Sequence, residues 1–404
     1  MLNSDNEAEL GLVNRRLPGI HKIAILTSDE LADFIFMIPS LMALRKAYPQ
    51  AEIVLLGSNW HCQFLTGRPG PINRIEIIPP GFGLTNSTLM GQVGHLAEMD
   101  HFIQLMRAEE FDIALQMRAD SHQANSFIQK IGAKITIGSK SPDAEPLDLN
   151  LPYTFYQLGI LHYLEIVSLI GAQAVSLEPA ISLSEVDKRE IARVLPESEQ
   201  PVAVLAPASR DPRRRWPVEK FAAVGNILAW SGAQVVLVGG EEDSRLVDDT
   251  ANQMSAPVIN LCGALSLRGL AGLFDRTDVF VANESGILNL ANAVGAATVG
   301  IYWCGSLLNA GPVTSARHRI AISWQMNCPV CGMNCTRSDC GHQESFIAEV
   351  PQEEVAINAL EFLRIDENIL ENRTIKTTPD HPFGIKVDPD LEEVYENPAV
   401  YCGA

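Results

Sequence analysis

The 404-residue chain carries a formal charge of −19, with 47% hydrophobic and 20% charged residues. Such a chain is long enough for two separate cores, and its negative excess argues against a nucleic-acid partner and against strong attraction to an anionic membrane. No apolar run is long enough to span a bilayer, and the acidic N-terminal tail (residues 1–20) has no apolar signal segment. The expected compartment is therefore the cytoplasm, with free thiols.

Lys22–Leu26 is the first expected strand. It leads through Thr27-Ser28-Asp29-Glu30 into a helix over Leu31–Tyr48, kinked at Pro39. Asp33 stands at the start of that helix, on the loop edge of the sheet. A carboxylate there suits a general base, and equally a first-turn acid that favours the helix dipole. Strands are expected at Glu52–Leu56, Arg74–Ile78, Phe111–Met117 and Lys134–Gly138. Helices are expected at Leu89–Arg107, Ser121–Ile131 and Gln157–Ile170, with residues 139–152 as an acidic, proline-bearing loop. Ser182–Gln200 reads as a linker containing a helix.

The C-terminal half repeats the scheme. Strands at Val202–Ala206, Gln234–Val238, Pro257–Leu261, Val279–Ala282 and Thr298–Tyr302 alternate with helices at Glu219–Trp230, Glu241–Met254, Ser266–Asp275 and Ile287–Val294. Near-continuous apolar strands between amphipathic helices mean parallel sheets covered on both faces. Beyond Leu363 the periodicity fails, and residues 364–404 read as an acidic, extended tail.

Three loops at strand ends carry candidate chemistry. Residues 207–217, Pro-Ala-Ser-Arg-Asp-Pro-Arg-Arg-Arg-Trp-Pro, concentrate guanidinium groups suited to phosphate oxygens, or else form a solvated basic loop. Gly239-Gly240-Glu241-Glu242 offers glycines for close approach and a carboxylate able to accept from ribose hydroxyls, or else an acid-rich helix start. Asn283-Glu284-Ser285-Gly286 makes Ser285 an N-cap, at a helix end that also suits a diphosphate. A dinucleotide fingerprint and a P-loop are both missing.

Cys328, Cys331, Cys335 and Cys340 fall in one short loop, as CxxC-x3-C-x4-C. They can close a structural zinc site, hold a cluster, or remain thiols or disulfides. Cys62, Cys262, Cys304 and Cys402 are scattered and read as packing or surface residues.

The order of these motifs resembles glycosyltransferase family 9, the ADP-heptose:lipopolysaccharide heptosyltransferases. The carrying segments are Ala32-Asp33 through Pro39, Phe111-Asp112-Ile113-Ala114-Leu115-Gln116, Pro207-Ala208-Ser209 with Arg214-Arg215-Trp216-Pro217, Gly239-Gly240-Glu241-Glu242-Asp243, Leu261–Leu270 and Glu284–Gly295. The likeness covers roughly residues 21–363. Four positions depart from the family pattern: Ala32 stands for Gly, Arg214 for Lys, Glu284 for Asp and Asn289 for His.

The resemblance implies a GT-B fold, an α/β architecture of two facing Rossmann-like parallel-sheet domains with an interdomain cleft. Residues 21–181 would take the acceptor. Residues 201–348, including the Cys-rich loop 328–342 and closed by a helix at 349–363, would take a nucleotide-diphosphate sugar. Asp33 would be the base of an inverting transfer. Ser209, Arg214, Arg215, Glu284, Ser285, Gly286 and Asn289 would surround the donor, with Glu242 at the ribose. Catalysis would require no cofactor, because protein cations and amides stabilise the leaving diphosphate. The acceptor would be a glycan or glycolipid, with at most peripheral contact at the inner face of the membrane. Two other readings stay open: a catalytically silent nucleotide- or glycan-binding relative, and a nucleotide-sugar epimerase or hydrolase.

Overall fold

The structure is a computed structural model that describes residues 15–79, 93–118, 122–336, 338–369 and 401–402. These fall into two compact units, divided between Ser182 and Leu183, with Tyr401–Cys402 joining the first.

The first unit is a parallel sheet. Its strands are β1 (Lys22–Thr27), β2 (Glu52–Gly57), β3 (Arg74–Ile77), β4 (Ile113–Met117), β5 (Ile135–Lys140) and β6 (Leu149–Pro152), in the order β3-β2-β1-β4-β5-β6. A two-residue strand at 401–402 pairs in parallel with β3, so part of the segment read as an extended tail is a sheet edge. The rest of that segment past residue 369 lies outside the described residues, as do residues 1–14, most of the N-terminal tail. The central pairing is in register, with Ile23 opposite Ile53 on one side and Ile113 on the other. Both central strands are buried along almost their whole length, because helices cover the sheet on both faces.

The second unit repeats this order. Its strands are β7 (Val202–Ala206), β8 (Gln234–Leu237), β9 (Ile259–Asn260), β10 (Val279–Asn283), β11 (Thr298–Trp303) and β12 (His318–Ser323), arranged β9-β8-β7-β10-β11-β12. Its core joins Val279 and Val281 of β10 to Trp216, Phe221 and Val224, and to Val355, Ala356 and Ala359 of the helix Gln352–Ile369. The expected closing helix therefore belongs to this core.

Several expectations are corrected. The loop expected over 139–152 contains β6, whose alternating half-exposed pattern gives no apolar run. The expected strand at 257–261 shrinks to the two residues of β9, and Glu241–Asp243 forms a short 3-10 turn ahead of the helix Ser244–Gln253. The helices Asn59–Leu65 and Cys304–Ala310 and the edge strand β12 were not anticipated. Each is short, and neither seven-residue helix covers enough turns to establish a period. Residues 89–92 and 121, the starts of two expected helices, lie outside the described residues. Cys62 is disulfide-bonded rather than a packing thiol.

Candidate functional site

In each sheet the chain leaves the central pair in opposite directions, toward β2 from β1 and toward β5 from β4, and likewise toward β8 from β7 and toward β11 from β10. That reversal opens a crevice at the carboxyl ends of the central strands, where open α/β sheets take ligands.

In the second unit this edge is formed by the loops after β7 and β10. Asn283, fully buried at the end of β10, ties them together. Its Oδ1 accepts from the Trp216 backbone N–H at 3.1 Å, and its Nδ2 donates to the Pro207 carbonyl at 2.8 Å. Trp216 is itself buried and donates through Nε1 to the Val350 carbonyl at 3.0 Å, anchoring the loop in the core. Sequence reasoning missed Asn283, although an Asn closing an apolar strand was a visible signal.

The arginines of the loop have separate partners. Arg213 donates to both oxygens of Asp211 and, through Nη1, to Asp339 Oδ1 at 2.9 Å. Burial pushes the Asp211 carboxyl up, but the Arg213 hydrogen bonds and the Arg214 charge hold it below the usual carboxylate range. Arg214 donates through Nη1 to Glu284 Oε2 at 2.8 Å, with its Nε 3.7 Å from Asp211 Oδ2. Arg215 Nε donates to the carbonyl of buried Ser209 at 2.7 Å.

The turn after β10 behaves as an N-cap. Ser285 is extended, and its side chain accepts from the Leu288 N–H at 3.4 Å as the helix Gly286–Val294 begins. The amides of Gly286 and Ile287 are first-turn donors that no intrahelical carbonyl satisfies. Glu284 is buried against Tyr302, whose hydroxyl is pushed well up by burial and by the Glu284 charge. Asn289, also buried, donates back to the Ser285 carbonyl at 3.2 Å. Glu242 is exposed on the short turn following β8. Ser209, Arg214, Arg215, Glu284, Ser285, Gly286 and Asn289 thus belong to the loops that meet at the β7–β10 edge, while Glu242 lies past the neighbouring strand.

Asp33 lies at the corresponding edge of the first unit, in the first turn of the helix after β1. Its surface is only partly covered, yet protein atoms crowd the carboxyl. Burial raises its pKa, a hydrogen bond from Ser28 opposes this, Glu30 adds to the rise and the Arg118 charge counters it. Arg118 follows β4 and donates through Nη1 to the Thr27 carbonyl at 3.4 Å. Gln116 Nε2 in turn donates to the Arg118 carbonyl at 3.1 Å. The hydroxyl of buried Tyr163 is pushed well up by burial and then by Asp33. A carboxylate raised in this way beside a cation can take and release a proton. Asp112, by contrast, accepts from His21 N and Lys22 N and from Lys134 Nζ at the amino ends of the strands. It staples the sheet and stands away from the candidate edge.

In the Cys-rich loop, the ligand atoms of Cys328, Cys331, Cys340 and His342 all lie within 4.8 Å of one another, a grouping able to hold a metal ion. His342 was not anticipated. The signal was its place two residues after Cys340. Cys335 Sγ lies 3.6 Å from Cys340 Sγ, beside this group.

Among the described residues no helix is long and apolar enough to cross a membrane. The sequence profile of Glycosyltransferase family 9 (heptosyltransferase) matches residues 99–337. Lipopolysaccharide heptosyltransferase 3 of Escherichia coli is 23% identical over 287 residues, spanning 67% of this chain and 80% of that protein. Among solved structures, a glycosyl transferase family 9 protein from Veillonella parvula superposes with a TM-score of 0.69 at 20% identity, over 86% of this chain and 97% of its own. The E. coli ADP-heptose lps heptosyltransferase II gives 0.66 at 18% identity, over 86% of this chain and 100% of its own.

Proposed function

This chain belongs to glycosyltransferase family 9 and has the GT-B fold, and from that premise we propose that it is an inverting glycosyltransferase. In this reading it moves a heptose-like sugar from an ADP-sugar, or another nucleotide-diphosphate sugar, to a hydroxyl of a glycan or lipopolysaccharide-type acceptor. The carrying observation is the meeting of the Ser209–Arg215 loop and the Ser285-Gly286 helix start at the carboxyl edge of β7 and β10. Guanidinium groups and first-turn amides there suit a diphosphate.

The roles follow from the chemistry. Arg214, Arg215 and Ser209 hold the diphosphate with the amides of Gly286 and Ile287, and Glu242 accepts from the ribose. Asn289 fixes the backbone at Ser285, and Glu284 orients Arg214. On the acceptor side, the Asp33 carboxylate takes the proton of the acceptor hydroxyl as that oxygen bonds to the anomeric carbon. The bond from that carbon to the diphosphate breaks on the opposite face, so configuration inverts. Protein cations and amides receive the leaving charge, and catalysis takes no metal. Residues 21–181 serve the acceptor, 201–363 serve the donor, and 182–200 connect them. Work at the cytoplasmic face of the membrane, through peripheral contact, fits such an acceptor.

The test is transfer from ADP-heptose to a truncated lipopolysaccharide core by wild type and Asp33→Ala. The variant is expected to lose about 10²–10⁴-fold in rate while binding ADP unchanged. Equal transfer by the variant would remove Asp33 from the mechanism.

A second reading, a relative that binds without turnover, is favoured by the replacements Ala32, Glu284 and Asn289 where the family pattern carries Gly, Asp and His. Tight ADP binding with neither transfer nor donor hydrolysis would select it. Donor loss without any acceptor would select an epimerase or hydrolase.

A further inference from the structure

We propose that Cys328, Cys331, Cys340 and His342 form a structural zinc site with Cys335 outside the coordination set, and that the metal fixes Asp339 against the arginine loop. Three soft sulfurs and one imidazole lie within 4.8 Å of one another. Zinc bonds of about 2.3 Å to sulfur and about 2.0–2.1 Å to nitrogen put tetrahedral ligands about 3.6–3.8 Å apart, so the loop has only to tighten by about an ångström.

Independent observations converge on the same four residues. The Nδ1 of His342 is buried with no hydrogen-bond partner, an arrangement that costs free energy unless something coordinates it. The backbone N–H of Val330 donates to Cys328 Sγ at 3.4 Å, and that of Gly332 to the Cys328 carbonyl at 2.9 Å. These two bonds fold the chain around the Cys328 sulfur and set its direction. Gly332 and Gly341 directly follow Cys331 and Cys340 at φ +73° and +74°, the left-handed backbone of a tight turn. The loop therefore holds two turns that each present ligands to one point.

The surroundings explain why the loop gains from a metal. Among the described residues from 324 to 344 only Cys328 is buried, so apolar burial does little to hold this segment. Three backbone bonds, Cys328 N to Met333 O, Gly332 N to Cys328 O and Cys335 N to Met326 O, close its first part. A structural zinc would supply the missing folding energy. Binding would release the three thiol protons to solvent, leaving a Zn²⁺ with three thiolates and a neutral imidazole. Cys335 donates its S–H toward Cys340 and toward the Met333 carbonyl, and at 3.6 Å the two sulfurs are not a disulfide.

The loop is also stapled to the arginine segment. Asp339, next to Cys340, accepts from Arg213. Phe346 N donates to the Arg213 carbonyl, and Ser345 Oγ to that of Arg215. A metal holding Cys340 thus holds Asp339, and through Arg213 and Asp211 the neighbourhood of Arg214. This coupling rests on the proposed donor role of that loop; the metal site does not.

The experiment is elemental analysis of untagged full-length protein purified without added metal, with circular dichroism confirming the fold of each variant. We expect about one zinc per chain, retained in Cys335→Ser and reduced at least tenfold in His342→Ala and in the more exposed Cys331→Ser. Metal-free wild type with a mapped Cys335–Cys340 disulfide overturns the site. Loss of zinc in Cys335→Ser with retention in His342→Ala overturns the donor set. Asp339→Ala is expected to keep its zinc and bind ADP at least threefold more weakly, and unchanged ADP affinity overturns the coupling. Absence of ADP binding in wild type overturns the donor reading and the coupling together, and leaves the zinc result intact.

Discussion

Arg214 and Glu284, 70 positions apart in the chain, are joined by a 2.8 Å hydrogen bond from Nη1 to Oε2. Glu284 is buried and Arg214 partly exposed, so the carboxylate sets the direction of a guanidinium that still reaches solvent. The pair defines both the strength and the limit of the proposed diphosphate seat.

Removing the cation should weaken the seat. Arg214→Ala is expected to lower ADP affinity by about 10- to 100-fold, from the 1.5–3 kcal/mol that a charge-assisted hydrogen bond contributes. Glu284→Gln removes a negative charge facing the diphosphate and is expected to raise affinity by up to about tenfold. Isothermal titration with ADP checks both. A drop in affinity for Glu284→Gln would mean that the carboxylate is needed to aim Arg214.

The raised pKa of Asp33 gives a pH signature with a defined sign. A base must be deprotonated, so transfer should fall with acid around a pKa above the usual value near 3.9. The same shift means the folded state binds its proton more tightly than the unfolded chain, so stability falls as pH rises through that window. Asp33→Asn is therefore expected to raise Tm at neutral pH, with the gain vanishing below pH 4. Thermal melts across pH 3–8 test this, and an unchanged or lower Tm at pH 7 would contradict it.

His61 predicts the opposite trend. Fully buried beside Trp60, its imidazole is pushed down to about 3 by burial, against the pull of Asp29. The unfolded chain would bind that proton near pH 6.5, so stability is complete above that value and lost as pH falls toward 3, at up to about 1.4 kcal/mol per pH unit. Chemical denaturation of His61→Asn between pH 7 and 4 should show a shallower acid slope than wild type. Parallel slopes would mean that the ring protonates without opening the fold.

Asn283 is the buried link between the two donor-side loops. Asn283→Ala leaves the Trp216 N–H and the Pro207 carbonyl without their side-chain partner, and is expected to cost about 2–4 kcal/mol. Urea unfolding measures that loss. ADP titration at a temperature where the variant is folded should show weaker binding, since the loop carrying Arg214 loses its anchor.

Much of the fold was legible because its signals are local. The central strands β1, β4, β7 and β10 are covered on both faces, so each reads as an apolar run, and the turns after them carry polar residues. Edge strands such as β6 and β12 are half exposed, which removes the apolar run that would reveal them. The sequence by itself determined two α/β units, the order of the family motifs and the chemical types at the strand ends. It also showed Ser285 as a cap.

Only the tertiary structure decided which groups answer one another. Spacing in the chain says nothing about whether Arg214 meets Glu284, whether Asn283 spans two loops, or whether His342 rather than Cys335 completes the cluster. The first two come from parallel strand order, which brings the ends of β7 and β10 side by side although more than 70 residues of chain separate them. Burial then fixes the partners, because a polar group out of reach of water must find another within about 3 Å.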